Sequence, residues 1–495
     1  MNIDPLHAID FYKSGHKFQY PEGTTLVYSN FTPRSTKLSN LPAHLRDDKV
    51  VFFGLQYFIK DFLIDAWNKE FFKIPKATVL SKYKRRMDNA LGFDAVPVSH
   101  IAALHDLGYL PIEICALPEG AVVPAKVPML TIKNTHPEFF WLTNYLESVM
   151  STYLWKPCTS ATTARFYRNL FDKYADETGA DKGFIDFQAH DFSFRGMSGI
   201  QDAASSGAAH LLYFKGTDTV LAIDFLEQYY GADSDIELVG CSVPATEHSV
   251  MSMGGKESEI ETFRRIITRL YPNGIVSVVS DTWDFWQVIN GYASQLKAEI
   301  LARNGKVVFR PDSGDPVKII CGDSAADNTP ESKGSVECLW DIFGGTVNDK
   351  GFKVLDSHVG LIYGDSITPQ RAVDILEGLK VKGFASSNVV LGIGSYTYEY
   401  VTRDTYGFAV KSTYGEINGK GIEIFKQPKT DDGIKNSAKG LIEVCRDVGD
   451  YFLVDQCKEP LGGCLQPVFK DGKLLVDWKL SEIRAFSAAA FGEKG

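Results

Sequence analysis

The sequence predicts an α/β protein in which residues 151–399 form a (β/α) barrel, joined to a second, mostly antiparallel, β-rich α+β domain assembled from residues 1–150 and 400–495. Three observations lead there. Between residues 184 and 395 a short apolar run, a polar or glycine-bearing tip and a longer amphipathic stretch recur in that order. Apolar runs without alternation are what parallel strands covered on both faces require. The tips after the runs carry charge or glycine, which suits strand ends that gather on one face of a barrel. Both chain ends are instead rich in turns and short alternating runs, the pattern of antiparallel strands with one wet face.

The runs expected to be parallel strands are 184–187, 211–214, 275–279, 307–309, 359–363 and 389–391, with helices expected over 259–270 and 370–379. Their tips are His190-Asp191, 215–218, Ser280-Asp281, 310–312, Gly364-Asp365 and 392–395. A doubly wound open sheet gives the same linear pattern and also gathers ligands at carboxyl strand ends, so it stands as the alternative. Antiparallel strands are expected at 110–115, 121–127 and 129–132. Residues 322–334 and 427–440 lack apolar periodicity and read as loops.

Composition excludes several function classes. The chain has 495 residues, 44% hydrophobic and 23% charged, enough for two ordinary globular cores. A net charge of -10 speaks against nucleic acid or an anionic membrane as partner, since both select for surplus Lys and Arg. Residues 1–13 contain Asp4, His7 and Asp10 but no apolar segment, and the apolar stretch 50–67 is broken by Lys60, Asp61 and Asp65. Neither a secretory signal nor a membrane span is expected, and the expected location is the cytoplasm. Eight cysteines include no CxxC pair and ten histidines no HExxH, so reduced thiols and no dedicated zinc site are expected.

The candidate chemistry lies in the tips. Singly, Asp218, Asp281, Asp312 and Asp365 read as helix N-caps, each worth ~1 kcal/mol. Four on one face would repel one another unless cations balance them, and a magnesium diphosphate bearing ribose hydroxyls is a ligand that uses several carboxylates. Arg195, Arg310 and Arg403 supply guanidinium groups that match phosphate geometry, with Lys411 and Lys426 as additions whose ordinary reading is a solvated surface. Gly394 and Ser395, in Gly392-Ile393-Gly394-Ser395, offer turn amides for a terminal phosphate; by itself such a GxG is as readily a plain tight turn. His248, beside Glu247, is the sharpest candidate, because imidazole both moves protons and accepts phosphoryl groups near neutral pH. A structural histidine is the common alternative, and adjacent strand side chains face opposite ways. Phe192 and Tyr12 are aromatic faces for a flat substrate, with packing as their ordinary role.

Together these strings, with Asp10-Phe11-Tyr12-Lys13, Tyr20-Pro21, Phe53-Gly54-Leu55-Gln56-Tyr57 and Trp141-Leu142-Thr143-Asn144, resemble the nicotinamide phosphoribosyltransferase family along nearly the whole chain. The resemblance implies a type II phosphoribosyltransferase that joins nicotinamide to phosphoribosyl diphosphate, coupled to ATP hydrolysis, with Mg2+, in a homodimer with shared active sites. It implies that Phe192 stacks on the nicotinamide ring, Tyr12 of the second subunit covers the other face, and Asp218 accepts from the carboxamide. It further assigns Arg195 and Arg310 to the phosphoribosyl and diphosphate groups, and Asp281 and Asp312 to ribose and metal. Gly364 and Asp365 would contact ribose, Gly394 and Arg403 the 5'-phosphate, and His248 would be phosphorylated. Vertebrate members carry a glycine-rich run where this chain has Gly392 to Tyr396. Two other readings remain: a nicotinate phosphoribosyltransferase, and a catalytically silent metabolite-binding or signalling protein of the same fold.

Overall fold

The computed structural model describes residues 3–326, 329–426, 438–458 and 463–492. Its centre is a six-stranded parallel sheet in the spatial order Gly216–Thr217, Ala189–Asp191, Val389–Ile393, Val359–Tyr363, Val307–Arg310, Val276–Val279. The two edges of this sheet are joined by residues 241–246. Cys241 pairs in parallel with Gly216, and Ala245 with Ser277. Cys241 N–H donates to Lys215 O at 2.7 Å and Thr246 N–H to Ser277 O at 3.0 Å. Going round the ring, each segment is therefore flanked by its neighbours in sequence, which is barrel order and rules out the open sheet.

The burial of the strands follows their composition. Val276–Val279, reading VSVV, is buried at all four positions, as a strand covered on both faces must be. Ile112–Ala116 alternates buried and half-buried residues, the mark of a strand with one covered face. It belongs to a seven-stranded, wholly antiparallel sheet built from both chain ends: Thr24–Thr32, Ile112–Ala116 and Leu130–Asn134 with Ala409–Ile417, Lys420–Glu423, Gln466–Lys470 and Lys473–Leu474.

The helix Glu147–Thr178 runs through the boundary expected at residue 150 and touches both halves. Its Thr162 hydroxyl oxygen accepts from Val51 N–H at 2.9 Å, and Tyr167 Oη lies 2.9 Å from Thr397 Oγ1, just beyond the Val389–Ile393 strand. Near the carboxyl terminus, Arg484 donates to Leu211 O and Val239 O at 2.7 Å, tying the last helix to the barrel.

Two expected strands are helical or irregular instead. Residues 184–187 belong to a 3-10 turn, Lys182–Phe184, and a helix, Ile185–Gln188; the strand begins only at Ala189. Residues 211–214 form a buried turn after the helix Ile200–His210, and the strand is Gly216–Thr217. In both cases the apolar run reports burial, which a short run cannot convert into strand or helix. The other four strands and both expected helices form, the helices as Glu259–Arg265 continued by a wider turn over Ile266–Leu270, and as Pro369–Val381. Within 322–334 a short helix, Pro330–Lys333, replaces part of the expected loop, while residues 327 and 328 lie outside the described residues. Of the loop expected at 427–440, residues 427–437 lie outside them too. Among the described residues no helix is long and apolar enough to cross a membrane.

Candidate active site

A cavity of about 350 Å³ occupies the barrel interior. Phe184, Phe187, Val308, Leu361 and Val390 make most of its wall apolar, and its carboxyl-face end presents His190, Phe192, Asp218 and Arg310. Phe192 can sit against the sheet because residue 392 is glycine. A Cβ there would meet Tyr363 O at 2.6 Å and Phe192 Cδ2 at 2.7 Å.

Beside this mouth His248, Asp281 and Asp312 converge, with one ligand atom from each lying within 4.8 Å of the others. His248 opens the helix His248–Ser252. Its Nε2 is 3.3 Å from Asp312 Oδ1 and 3.8 Å from Asp281 Oδ1, and its Nδ1 is 3.2 Å from Thr282 Oγ1. Asp281 Oδ2 accepts from the Asp312 N–H at 2.9 Å and the Ser313 hydroxyl at 2.6 Å. Its Oδ1 is buried without a hydrogen-bond partner, in a side chain only 3% exposed. A buried carboxylate oxygen left open, with a second carboxylate beside it, fits a hard cation such as Mg2+. Burial and then the Asp281 charge hold the Asp312 carboxyl above its usual range, opposed by His248.

Arg310 is the counter-charge within this group. Its Nη2 donates to Thr246 O, and Asp218, Asp312 and Asp281 all act on it. Burial draws its pKa down, the three carboxylates push it up, and neighbouring Arg195 opposes them. Gly364 closes the group, since a Cβ there would lie 3.2 Å from Asp312 Cβ and 3.7 Å from Arg310 Cδ. Asp365 follows it, exposed, and its charge reaches Tyr363 together with those of Asp281 and Asp312. Gly394 caps the short helix Ser395–Tyr398, and Ser395 packs on the Arg195 tip, where a Cβ on Gly196 would meet Ser395 Oγ at 2.6 Å. Glu247 is adjacent in sequence only: its carboxylate accepts from the Ser249 hydroxyl rather than from the imidazole.

Tyr12 and Arg403 fall in a different group. Tyr12 is 62% exposed, on the 3-10 helix Phe11–Gly15, with Lys13 Nζ 5.1 Å from its ring centroid. Lys13 bonds Glu147 at 2.6 Å. Glu147 also acts on Lys411, as do Arg34, Lys426 and Arg403. Loss of water contact, then those three cations, hold the Lys411 ammonium below its usual range against the pull of Glu147.

With this geometry in place the chain can be set beside known proteins. A family model described as nicotinamide phosphoribosyltransferase, N-terminal domain, matches residues 4–114, and one for the nicotinate phosphoribosyltransferase family matches residues 187–469. A nicotinamide phosphoribosyltransferase of Acinetobacter baylyi is 60% identical over 97% of this chain and 96% of its own length. The chain belongs to the nicotinamide phosphoribosyltransferase family. A second member, from Xanthomonas campestris, is 34% identical over 97% of each chain. The fold is shared with the nicotinate-nucleotide pyrophosphorylase of Pyrococcus furiosus, at a TM-score of 0.58, 15% identity, and coverage of 99% of this chain and 96% of that one.

For this member of the nicotinamide phosphoribosyltransferase family, sequence reasoning left out Thr282, Ser313, Ser242, His190 and Arg34 as site residues. Serine and threonine are too common to single out. A usable signal nevertheless exists, because Asp281-Thr282 and Asp312-Ser313 each place a hydroxyl directly after a tip carboxylate. Both hydroxyls turn back into the cluster. Arg34 carried no such signal; its place beside Lys411 depends on the pairing of Thr24–Thr32 with Ala409–Ile417.

Proposed function

We propose that the protein transfers the phosphoribosyl group of phosphoribosyl diphosphate to nicotinamide, giving nicotinamide mononucleotide and diphosphate, in cytoplasmic NAD salvage coupled to ATP hydrolysis. The observation that carries this reading is the meeting, at one barrel mouth, of an aromatic-lined cavity ending at Asp218 with the His248, Asp281 and Asp312 cluster. Phe192 stacks on the pyridine ring and Asp218 accepts from the carboxamide NH2. The ring nitrogen attacks C1' of the ribose as the C1'–oxygen bond breaks and diphosphate departs with the electron pair. The transition state is cationic at the ribose, so placement and charge stabilisation matter more than a strong base. Arg195 and Arg310 bind the phosphoribosyl and diphosphate oxygens, Gly364 and Asp365 meet the ribose, and Gly394 and Ser395 take the 5'-phosphate.

His248 accepts the γ-phosphoryl group of ATP, releasing ADP, and hydrolysis of the phosphohistidine drives the equilibrium towards product. Asp312 and Thr282 hold the imidazole for this step. Glu247, one residue away, is a further catalytic candidate. Asp281 and Asp312 would hold Mg2+, which supplies charge neutralisation for diphosphate and ATP. Tyr12 and Arg403 act from the second subunit of a homodimer, a reading favoured by their separate grouping and by the exposed Phe11, Tyr12, Phe18, Tyr396 and Tyr400.

The test is formation of nicotinamide mononucleotide by the purified protein with Mg2+ and phosphoribosyl diphosphate, with and without ATP, and with nicotinate as rival. ATP-stimulated product from nicotinamide is expected. Product from nicotinate alone would transfer the assignment to the acid, and product from neither would favour a silent binding protein.

A further inference from the structure

Ser242 lies on the 241–246 segment that completes the barrel. Its hydroxyl donates to Asp218 Oδ1 at 2.5 Å, and His190 Nε2 reaches the same oxygen at 2.9 Å. Oδ2 is left as the oxygen for a ligand, since Asp218 lines the cavity. His190 is itself fixed. Its ring packs on Phe192 with centroids 4.6 Å apart, and Nδ1 lies where a Cβ on residue 216 would come within 2.9 Å, so Gly216 makes its room.

A carboxylate free to rotate offers either oxygen and loses that freedom when a ligand binds. Two donors on one oxygen remove this cost in advance and favour the ionised form. We propose that Ser242 and His190 are positioning residues that set the preference for a pyridine carboxamide over a pyridine carboxylate, by fixing Oδ1 of Asp218 between them so that Oδ2 is the oxygen turned to a ligand in the cavity. The inference rests on the nicotinamide reading above and adds what makes Asp218 selective. An oriented Asp218 carboxylate accepts the amide N–H and repels an acid held in the same pose, whereas a mobile one can swing away from the acid and admit it. Partial burial pushes the Asp218 carboxyl up, but the hydrogen bonds from His190 and Ser242, joined by the attraction of His190 and Arg310, together bring the group below its usual range.

The test is steady-state kinetics with nicotinamide and nicotinate on the full-length protein and its Ser242→Ala, Ser242→Thr, His190→Ala and His190→Gln variants, alongside equilibrium binding of both pyridines. Loss of one hydrogen bond to a charged group predicts that Ser242→Ala raises KM for nicotinamide roughly tenfold and cuts the amide-to-acid ratio of kcat/KM by a similar factor. Its kcat should stay within about twofold, because the bond acts in ground and transition states alike. Threonine, which keeps the hydroxyl, and glutamine, which keeps an N–H donor, should restore most of the preference. An unchanged ratio in both alanine variants would overturn the proposal. So would kcat falling without any change in the ratio. Wild-type protein that makes no nicotinamide mononucleotide would defeat the functional reading instead; the binding preference of wild type against Ser242→Ala would then decide this one alone.

Discussion

At the barrel mouth, Asp218, Asp281 and Asp312 surround the half-buried guanidinium of Arg310, whereas around Lys411 the balance reverses, with Arg34, Arg403 and Lys426 crowding it against Glu147. The first region is held by internal hydrogen bonds such as Asp312 N–H to Asp281 and Ser313 to Asp281. The second presents Arg403, Lys411 and Lys426 to solvent. The mouth can orient a cationic or metal-bound group, and the basic surface can take a phosphate. A phosphorylated sugar diphosphate needs both, and in one chain they form separate groups. In the proposed homodimer a shared site would bring the two together.

The largest expected effect falls on the mouth. His248→Ala should remove ATP stimulation altogether while leaving some ATP-independent synthesis, measured as product formed per ADP released. Normal coupling in that variant would end the phosphohistidine role and leave the two regions without a division of labour.

Next comes a direct test of whether the regions meet across subunits. Tyr12→Ala and Asp312→Asn proteins, each weakly active, should recover activity when unfolded and refolded together, approaching about one quarter of the wild-type sites in a random dimer mixture. Additive activities without recovery would place both residues in one chain's site.

A smaller effect is expected at Gly392. The alanine Cβ would press on Tyr363 O and Phe192, so Gly392→Ala should cost about 1–3 kcal/mol of stability and raise KM for nicotinamide. Chemical denaturation and kinetics check it together.

The smallest is electrostatic. Because Asp312 has a raised folded-state pKa, its protonated form favours folding below the ordinary carboxylate range, and that benefit is lost as pH rises through the folded value. Asp312→Asn should therefore gain thermal stability over wild type at neutral pH while losing activity. Added Mg2+ should raise the wild-type midpoint and leave the variant's unchanged. An equal response in both would take Asp312 out of the metal site.

Much of the mouth was legible from sequence because a carboxyl-end tip is local. Asp218, Asp281, Arg310, Asp312 and Gly364 each follow a strand or lie at its end, and barrel geometry forces such positions to one face. The strands Val276–Val279, Val307–Arg310 and Val359–Tyr363 are legible because their apolar runs are rich in β-branched valine and isoleucine, which favour strands. Runs 184–187 and 211–214 were misread because their burial comes from helix and turn packing, and apolarity alone does not encode direction. Glu247 neighbours His248 in sequence, while its side chain goes to Ser249.

By itself, then, the sequence determined the α/β class, the antiparallel sheet drawn from both ends and the set of tip residues, because periodicity and local order are written residue by residue, and its residue strings carried the family resemblance. Tertiary structure alone decided that residues 241–246 complete the ring, that Asp281 keeps one buried oxygen open, and that Ser242 and His190 share one oxygen of Asp218. It also decided that Lys13, over the Tyr12 ring, bonds Glu147, whose charge reaches Lys411. These are meetings of segments tens to hundreds of residues apart, fixed by how strands close and sheets pair, and no local pattern carries that information.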